Sequence, residues 1–182
     1  PYGDTVTVGE LVYSLDKFRP RFPLRWQAIQ LKQGDEFLPL TDDNMQKAVF
    51  DSIIYPLYPL VDYVPTGFPA KERGALYVWR FGDVFITLHK FKPFNSKDFN
   101  YSLLLEFNPN KHMGNPVIRA LISRLREIFG DYFCWNNTRM DYTVDVPYPI
   151  SDIRLLSRKQ GSSYLGTYYF GVRGQSGYTR VY

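Results

Sequence analysis

Residues Arg139–Asp145 read RMDYTVD, and their alternation raises a chemical question. Strand side chains point alternately to opposite faces. One face would carry Arg139, Asp141, Thr143 and Asp145, and the other Met140, Tyr142, Val144 and Val146. Two carboxylates then stand roughly 7 Å apart on one side, beside a guanidinium. In YSLLLEFNPN, Leu103, Leu105 and Phe107 alternate with Leu104, Glu106 and Asn108, which leaves Glu106 as a carboxylate ending an apolar strand. If the two strands are neighbours, Glu106, Asp141 and Asp145 converge. Converging carboxylates repel unless a proton or cation separates them. Hard oxygen donors with few histidines suit Mg²⁺ or Mn²⁺. The plainer alternative is that Asp141 and Asp145 pair with Arg139 and neighbouring basic residues.

The run YTRVY sets Tyr178, Arg180 and Tyr182 on one strand face. A tyrosine near positive charge and a metal can attack a phosphodiester, because the cations offset a phenol pKa near 10. Chemistry admits Tyr182 for this role without selecting it among 15 tyrosines. The histidines His89 and His112 are far apart and form no H-x-H or H-E-x-x-H pattern, so both read as structural or solvent-facing. GSSYLG and GVRGQSG match neither a phosphate-binding loop nor a dinucleotide fingerprint.

These residues need a scaffold, and 182 residues are enough for a single well-buried domain. Aromatics reach 18%, which suits either a strand-rich fold or a surface on which bases stack. A net charge of +4 permits a polyanionic partner without requiring one. The single Cys134 excludes a disulfide framework and a cysteine zinc site, and fits a reducing, cytoplasmic setting. No apolar run of about 18 residues is present, so no membrane span is expected. Neither end looks like a natural terminus, and the chain reads as part of a longer protein.

The opening DTVTVGELVYSL predicts a strand or hairpin. A helix is predicted after Thr41, with Asp42 and Asp43 in its first turn and Met45, Val49, Ile53 and Ile54 facing inward. YPLYPLVDYVPTGFP is proline-rich and reads as a long irregular connection. Ala75–Phe91 predicts a hairpin about Gly82–Asp83, and a strand follows in YSLLLEF. A helix is predicted from about Asn115, with Pro116 in its first turn, an apolar stripe from Val117 to Phe129 and a stop at Gly130. That stripe is expected to pack on Leu103, Leu105, Phe107, Met140 and Val144. Its Arg119, Arg124 and Arg126 read as a solvated face. SDIRLLSRK reads as helix or loop, and GTYYFGVR with GYTRVY as a terminal hairpin. The fold class expected is α+β, a central antiparallel sheet with helices on one face and polar residues gathered on the other, where Glu106, Asp141 and the strand holding Tyr182 are expected to present their side chains together.

LLLEFNPNK, a helix, TRMDYTVDV and YYFGVRGQSGYTRVY resemble, in order and spacing, the Rep-trans family of rolling-circle replication initiators. The match runs from about Tyr101 to Tyr182, and residues before about Ala75 match only loosely. The resemblance implies a fold related to the histidine–hydrophobic–histidine endonucleases, although this chain has no such pair. It implies a single nicking domain over residues 1–182, from a longer initiator. Tyr182 falls on the nucleophile that nicks one origin strand and retains the 5′-phosphate, with Tyr169 as the runner-up. Glu106, Asp141 and Asp145 fall on acidic positions, as ligands of Mg²⁺ or Mn²⁺. Arg139, Arg173 and Arg180 fall on basic positions suited to phosphate, and Lys111 completes the E-F-N-P-N-K motif as a DNA contact. Asn108 and Asn110 match as well, as residues that shape the turn. The implied partner is origin DNA, single-stranded or as a hairpin; a homodimer and a host helicase are admitted, a membrane is not. A conjugative relaxase of the same family, or a non-cleaving DNA-binding protein on the same fold, is the alternative. Family members continue past R-x-Y with Asn or Asp and then Lys, where this sequence stops.

Overall fold

The structure is a computed structural model that describes residues 6–8, 11–91, 100–145, 161–164, 167–170 and 179–181, with side chains over 14–91 and 100–141. Its main sheet is wholly antiparallel. It contains β1 (Val6–Val8), β2 (Leu11–Leu24), β5 (Thr66–Pro69), β6 (Ala75–Phe81), β7 (Val84–Phe91), β8 (Asn100–Glu106) and β9 (Asn136–Asp145). A small hairpin, β3 (Lys32–Gln33) with β4 (Glu36–Phe37), stands apart from it. The central strand is β2. Val12 pairs with Thr7 of β1 and with Asp145 of β9, so those two strands take opposite edges. Further along, β8 takes the β1 edge at Arg21–Leu24, and β7, β6 and β5 follow outward.

The α-helices are α1 (Trp26–Ile29), α2 (Asp42–Val49), α3 (Pro109–His112) and α4 (Pro116–Phe129), with a π-helical turn at Phe50–Ile54. The α2 start follows from Thr41, whose Oγ1 accepts from the Asn44 N–H at 3.2 Å. Asn115 caps α4 by accepting from the Val117 N–H at 2.9 Å, and Pro116 occupies a first-turn position whose N–H has no helical partner. Gly130 ends α4 at φ 51°, a conformation costly for any residue with a Cβ.

One apolar cluster joins Met45, Val49, Ile53, Leu57, Leu121 and Leu125 of the helical layer to Phe22, Trp79, Ile86, Leu103, Leu105 and Phe107 of the sheet. The fold is therefore α+β, with helices on one face of an antiparallel sheet. Part of the aromatic content is in this core: Trp79, Phe81, Tyr101, Phe107 and Phe22 are all buried.

Four expectations are corrected. Tyr55–Leu60 is a 3₁₀ helix and Thr66–Pro69 an edge strand, so this stretch is not one irregular connection. Pro56 sits in the helix's first turn, where no N–H is required, and Leu57 is buried. The opening strand runs on to Leu24 despite Pro20 and Pro23. Pro20 lies at a register shift where Thr138 is the extra residue, a place where a missing N–H does not break the ladder. Met140 is exposed, although the α4 stripe was expected to use it. Its strand is an edge beyond β2, outside the area the helices cover. Finally, the strand before Tyr182, β12 (Thr179–Val181), does not belong to the main sheet. It pairs with β11 (Thr167–Phe170), which pairs with β10 (Gly161–Tyr164), in a separate three-stranded sheet. The terminal hairpin is as expected, and its register sets Tyr169 opposite Arg180.

A polar tether fastens α2 to the sheet. Asp42 accepts from Lys90 Nζ at 2.8 and 2.9 Å and from the Tyr101 hydroxyl at 2.6 Å. Burial pushes the Asp42 carboxyl up, but the Lys90 and Tyr101 hydrogen bonds outweigh it and hold the group below its ordinary value. Burial, and then Asp42, push the Tyr101 phenol well up. A carboxylate with a depressed folded pKa adds stability above its unfolded pKa, and that stability is lost as pH falls through the folded value. Tyr101→Phe is expected to cost about 1–2 kcal/mol at pH 7. Urea unfolding at pH 7 and under acid should show the gap to wild type narrowing once Asp42 is protonated.

Candidate nucleic-acid interface

The site is built by three neighbouring strands. Phe18 of β2 pairs with Met140 of β9 and bridges Phe107 after β8, and it packs against the core. The residues on either side of Phe18 must then point the other way. Lys17 is opposite Asp141, and Arg19 is opposite Arg139. Glu106, next to the buried Phe107, joins them on the face away from α4 and pairs with Phe85 of β7. Glu106, Arg139 and Asp141, taken from two separate sequence motifs, thus share one sheet face.

Ion pairs organise this face. Lys17 Nζ is 2.8 Å from Glu106 Oε1, and Arg19 Nε is 3.5 Å from Glu106 Oε2. Arg19 Nη2 donates to Glu72 Oε2 at 3.0 Å. Arg139 grips Asp141 with two bonds, Nε to Oδ1 at 2.8 Å and Nη2 to Oδ2 at 2.6 Å. That fork pushes the Arg139 pKa further up, with Glu106 and Glu72 adding to it. Two like charges directly opposite on paired strands repel, so the Arg19–Arg139 pair depends on these carboxylates. Further along β2, Arg21 lies over the Phe91 ring at 5.4 Å. Its Nε is buried with no hydrogen-bond partner among the described residues.

His89 flanks this row. Gly74, at φ 81°, brings its turn so close that a Cβ there would lie 2.8 Å from His89 Cε1. Burial, then Arg21 and Arg19, push the imidazole below its ordinary value, while a backbone bond at Arg73 and the Glu72 charge oppose. A histidine depressed in this way binds fewer protons than the unfolded chain below pH of about 6.5. Its contribution is therefore complete above that pH and lost as pH falls toward the folded pKa. An NMR titration of the His89 ring should give a midpoint below that of the unfolded chain. A midpoint at or above it would mean that burial and the cationic row do not together disfavour the charged ring.

Asn108 caps α3 by accepting from the Asn110 N–H at 2.9 Å, and Asn110 Nδ2 donates to Asp16 Oδ1 at 3.3 Å. Both asparagines therefore shape the turn after Glu106. Lys111 is exposed on α3 and lines an open groove of about 680 Å³ with His112, Asn115 and Arg119. Arg124 bonds the Ser52 carbonyl and Glu127, which holds it to the helical layer.

Asp145 is placed only as the partner of Val12 at the end of β9, and Arg180 only as the partner of Tyr169. Arg173, Tyr178 and Tyr182 lie outside the described residues. Among the described residues no three His, Cys, Asp or Glu side chains converge as a metal centre. Both described carboxylates of the expected ligand set are closed by cations, so as arranged they do not fit a divalent ion. Comparison with family models, with curated proteins and with solved structures finds no match to this chain. Among the described residues no helix is long and apolar enough to cross a membrane.

Lys17, Arg19, Arg21 and Glu72 were not anticipated. The signal for three of them was present in KFRPRF, where Lys17, Arg19 and Arg21 alternate with Phe18, Pro20 and Phe22. The prolines masked that period of two.

Proposed function

We propose that this chain nicks and rejoins one strand of DNA as a rolling-circle replication initiator on a fold related to the histidine–hydrophobic–histidine endonucleases. The observation that carries the reading is the shared face of Glu106, Arg139 and Asp141, which come from different motifs of the resemblance. In the proposed step the Tyr182 phenol loses its proton and its oxygen attacks phosphorus. The bond from phosphorus to the 3′-oxygen breaks, and that oxygen takes up a proton. The 5′-phosphate stays on Tyr182, and the reverse reaction rejoins the strand without a co-reactant. Guanidiniums fixed beforehand stabilise the charge that builds on the phosphoryl oxygens. The Mg²⁺ or Mn²⁺ that the resemblance implies would have to displace Arg139 from Asp141, or Lys17 and Arg19 from Glu106. The cytoplasm is the proposed setting, in keeping with a single cysteine that is exposed and free.

A non-cleaving DNA-binding protein is the second reading, favoured by the ion-paired state of both carboxylates. The two are separated with a random-sequence single-stranded library labelled at its 3′ end, incubated with Mg²⁺ and with Mn²⁺. The initiator reading expects labelled DNA that stays with the protein through denaturing electrophoresis. Binding without such an adduct selects the second reading.

A further inference from the structure

We infer that Arg19, Arg139 and Arg21 form a seat for the phosphodiester backbone of a single-stranded nucleic acid, and that Asp141 positions Arg139 instead of ligating a metal. The inference rests on the reading that this sheet face meets DNA, and it assigns the face its contacts. Arg19 and Arg139 are directly opposite each other on β2 and β9, which puts their Cβ atoms about 5 Å apart. A phosphate carries the charge and the two oxygens that can bridge such a pair of forks.

The carboxylates around the pair hold each guanidinium by one side only. Asp141 takes the Nε–Nη2 edge of Arg139, which leaves both Nη1 hydrogens and one on Nη2 to donate. The Arg139 side chain is half exposed, so those hydrogens can be reached. Glu72 accepts from Arg19 Nη2, and Glu106 stands 3.5 Å from its Nε without a hydrogen bond, again leaving Nη1. With both Asp141 oxygens bonded to one guanidinium at 2.8 and 2.6 Å, the carboxylate fixes where Arg139 points.

Arg21 extends the row along β2. No carboxylate pairs with it among the described residues, and its Nε is buried with no hydrogen bond there. A guanidinium with no carboxylate beside it carries an uncompensated charge, and an anion would relieve that. Lys17, Arg19, Arg21 and Arg139 stand against Glu72, Glu106 and Asp141, so an arriving phosphate meets a surplus of positive charge.

The test uses a dT oligonucleotide and a Tyr182→Phe background, so that binding is read without cleavage. Affinity is measured across a range of NaCl. Arg19→Gln and Arg21→Gln are each expected to weaken binding several-fold and to reduce the salt slope by about 0.7, the value for one phosphate on a single strand. Arg19→Lys keeps the charge and should keep the slope while still losing affinity, because the fork is gone. Arg139→Gln should weaken binding at least threefold, and by distinctly less when Asp141→Asn is already present, since the aim of Arg139 has then been lost. Mn²⁺ binding, followed by electron paramagnetic resonance, should be the same for Asp141→Asn as for its parent.

An unchanged slope in both Arg19→Gln and Arg21→Gln would overturn the seat. A loss of Mn²⁺ affinity beyond threefold in Asp141→Asn would overturn the positioning role. These readouts are independent of the nicking reaction. A protein that forms no covalent adduct yet shows the slope changes loses the initiator reading and keeps the seat.

Discussion

If the chain acts as proposed, Tyr182→Phe is expected to abolish the denaturant-resistant protein–DNA adduct and to lower nicking by at least about a thousandfold, because the substitution then removes the attacking oxygen and nothing else. Affinity for the same strand should stay within about twofold, since in the proposed function binding is carried by many Lys and Arg contacts to phosphate. The control is Tyr169→Phe. Tyr169 sits in β11 opposite Arg180, which is two residues before Tyr182 in sequence. A denaturing gel with 3′-labelled strand reads both variants side by side. An adduct that persists in Tyr182→Phe and vanishes in Tyr169→Phe would move the nucleophile to Tyr169. Loss of binding in both would point to a hairpin that holds DNA without cutting it.

The second large effect lies in the core. Leu121, on α4, is fully buried in the cluster that joins the helical layer to Leu103, Leu105 and Phe107. Leu121→Ala removes apolar contact and leaves a cavity, at an expected cost of about 2–5 kcal/mol. In urea the midpoint should fall by roughly 1–2 M. The consequence reaches the charged face, because Phe107 and Glu106 are adjacent on the chain and point to opposite sides of the sheet. A helix that loosens on one side frees the strand that holds Glu106 on the other. Ser123→Ala, on the exposed side of the same helix, is the matched control and should change the midpoint by less than about 0.5 M. Equal midpoints for Leu121→Ala and Ser123→Ala would show that α4 is not part of the cooperative core.

Several features are legible in the amino-acid sequence because their causes are local. Asn115, Pro116, the apolar spacing to Phe129 and Gly130 define α4 within one stretch of chain, and the helix is where that pattern puts it. The hairpin about Gly82–Asp83 and the strand ending at Glu106 are local in the same sense. Alternation also places Arg139 and Asp141 on one side of β9, and the ion pair between them needs no other strand.

What surrounds those residues was decided by tertiary structure. Alternation tells which side of its strand a residue occupies, but not which strand lies alongside. Lys17 and Arg19 meet Glu106, Arg139 and Asp141 only because β2 is the central strand, and its register against β9 shifts at Asp16 and again at Thr138. Those β2–β9 pairings join residues more than a hundred positions apart in sequence. They turn a carboxylate set that reads as metal ligands into one whose described members are bound to cations. No short-range pattern could specify that outcome, because moving one strand by a single residue exchanges the charged and apolar faces completely.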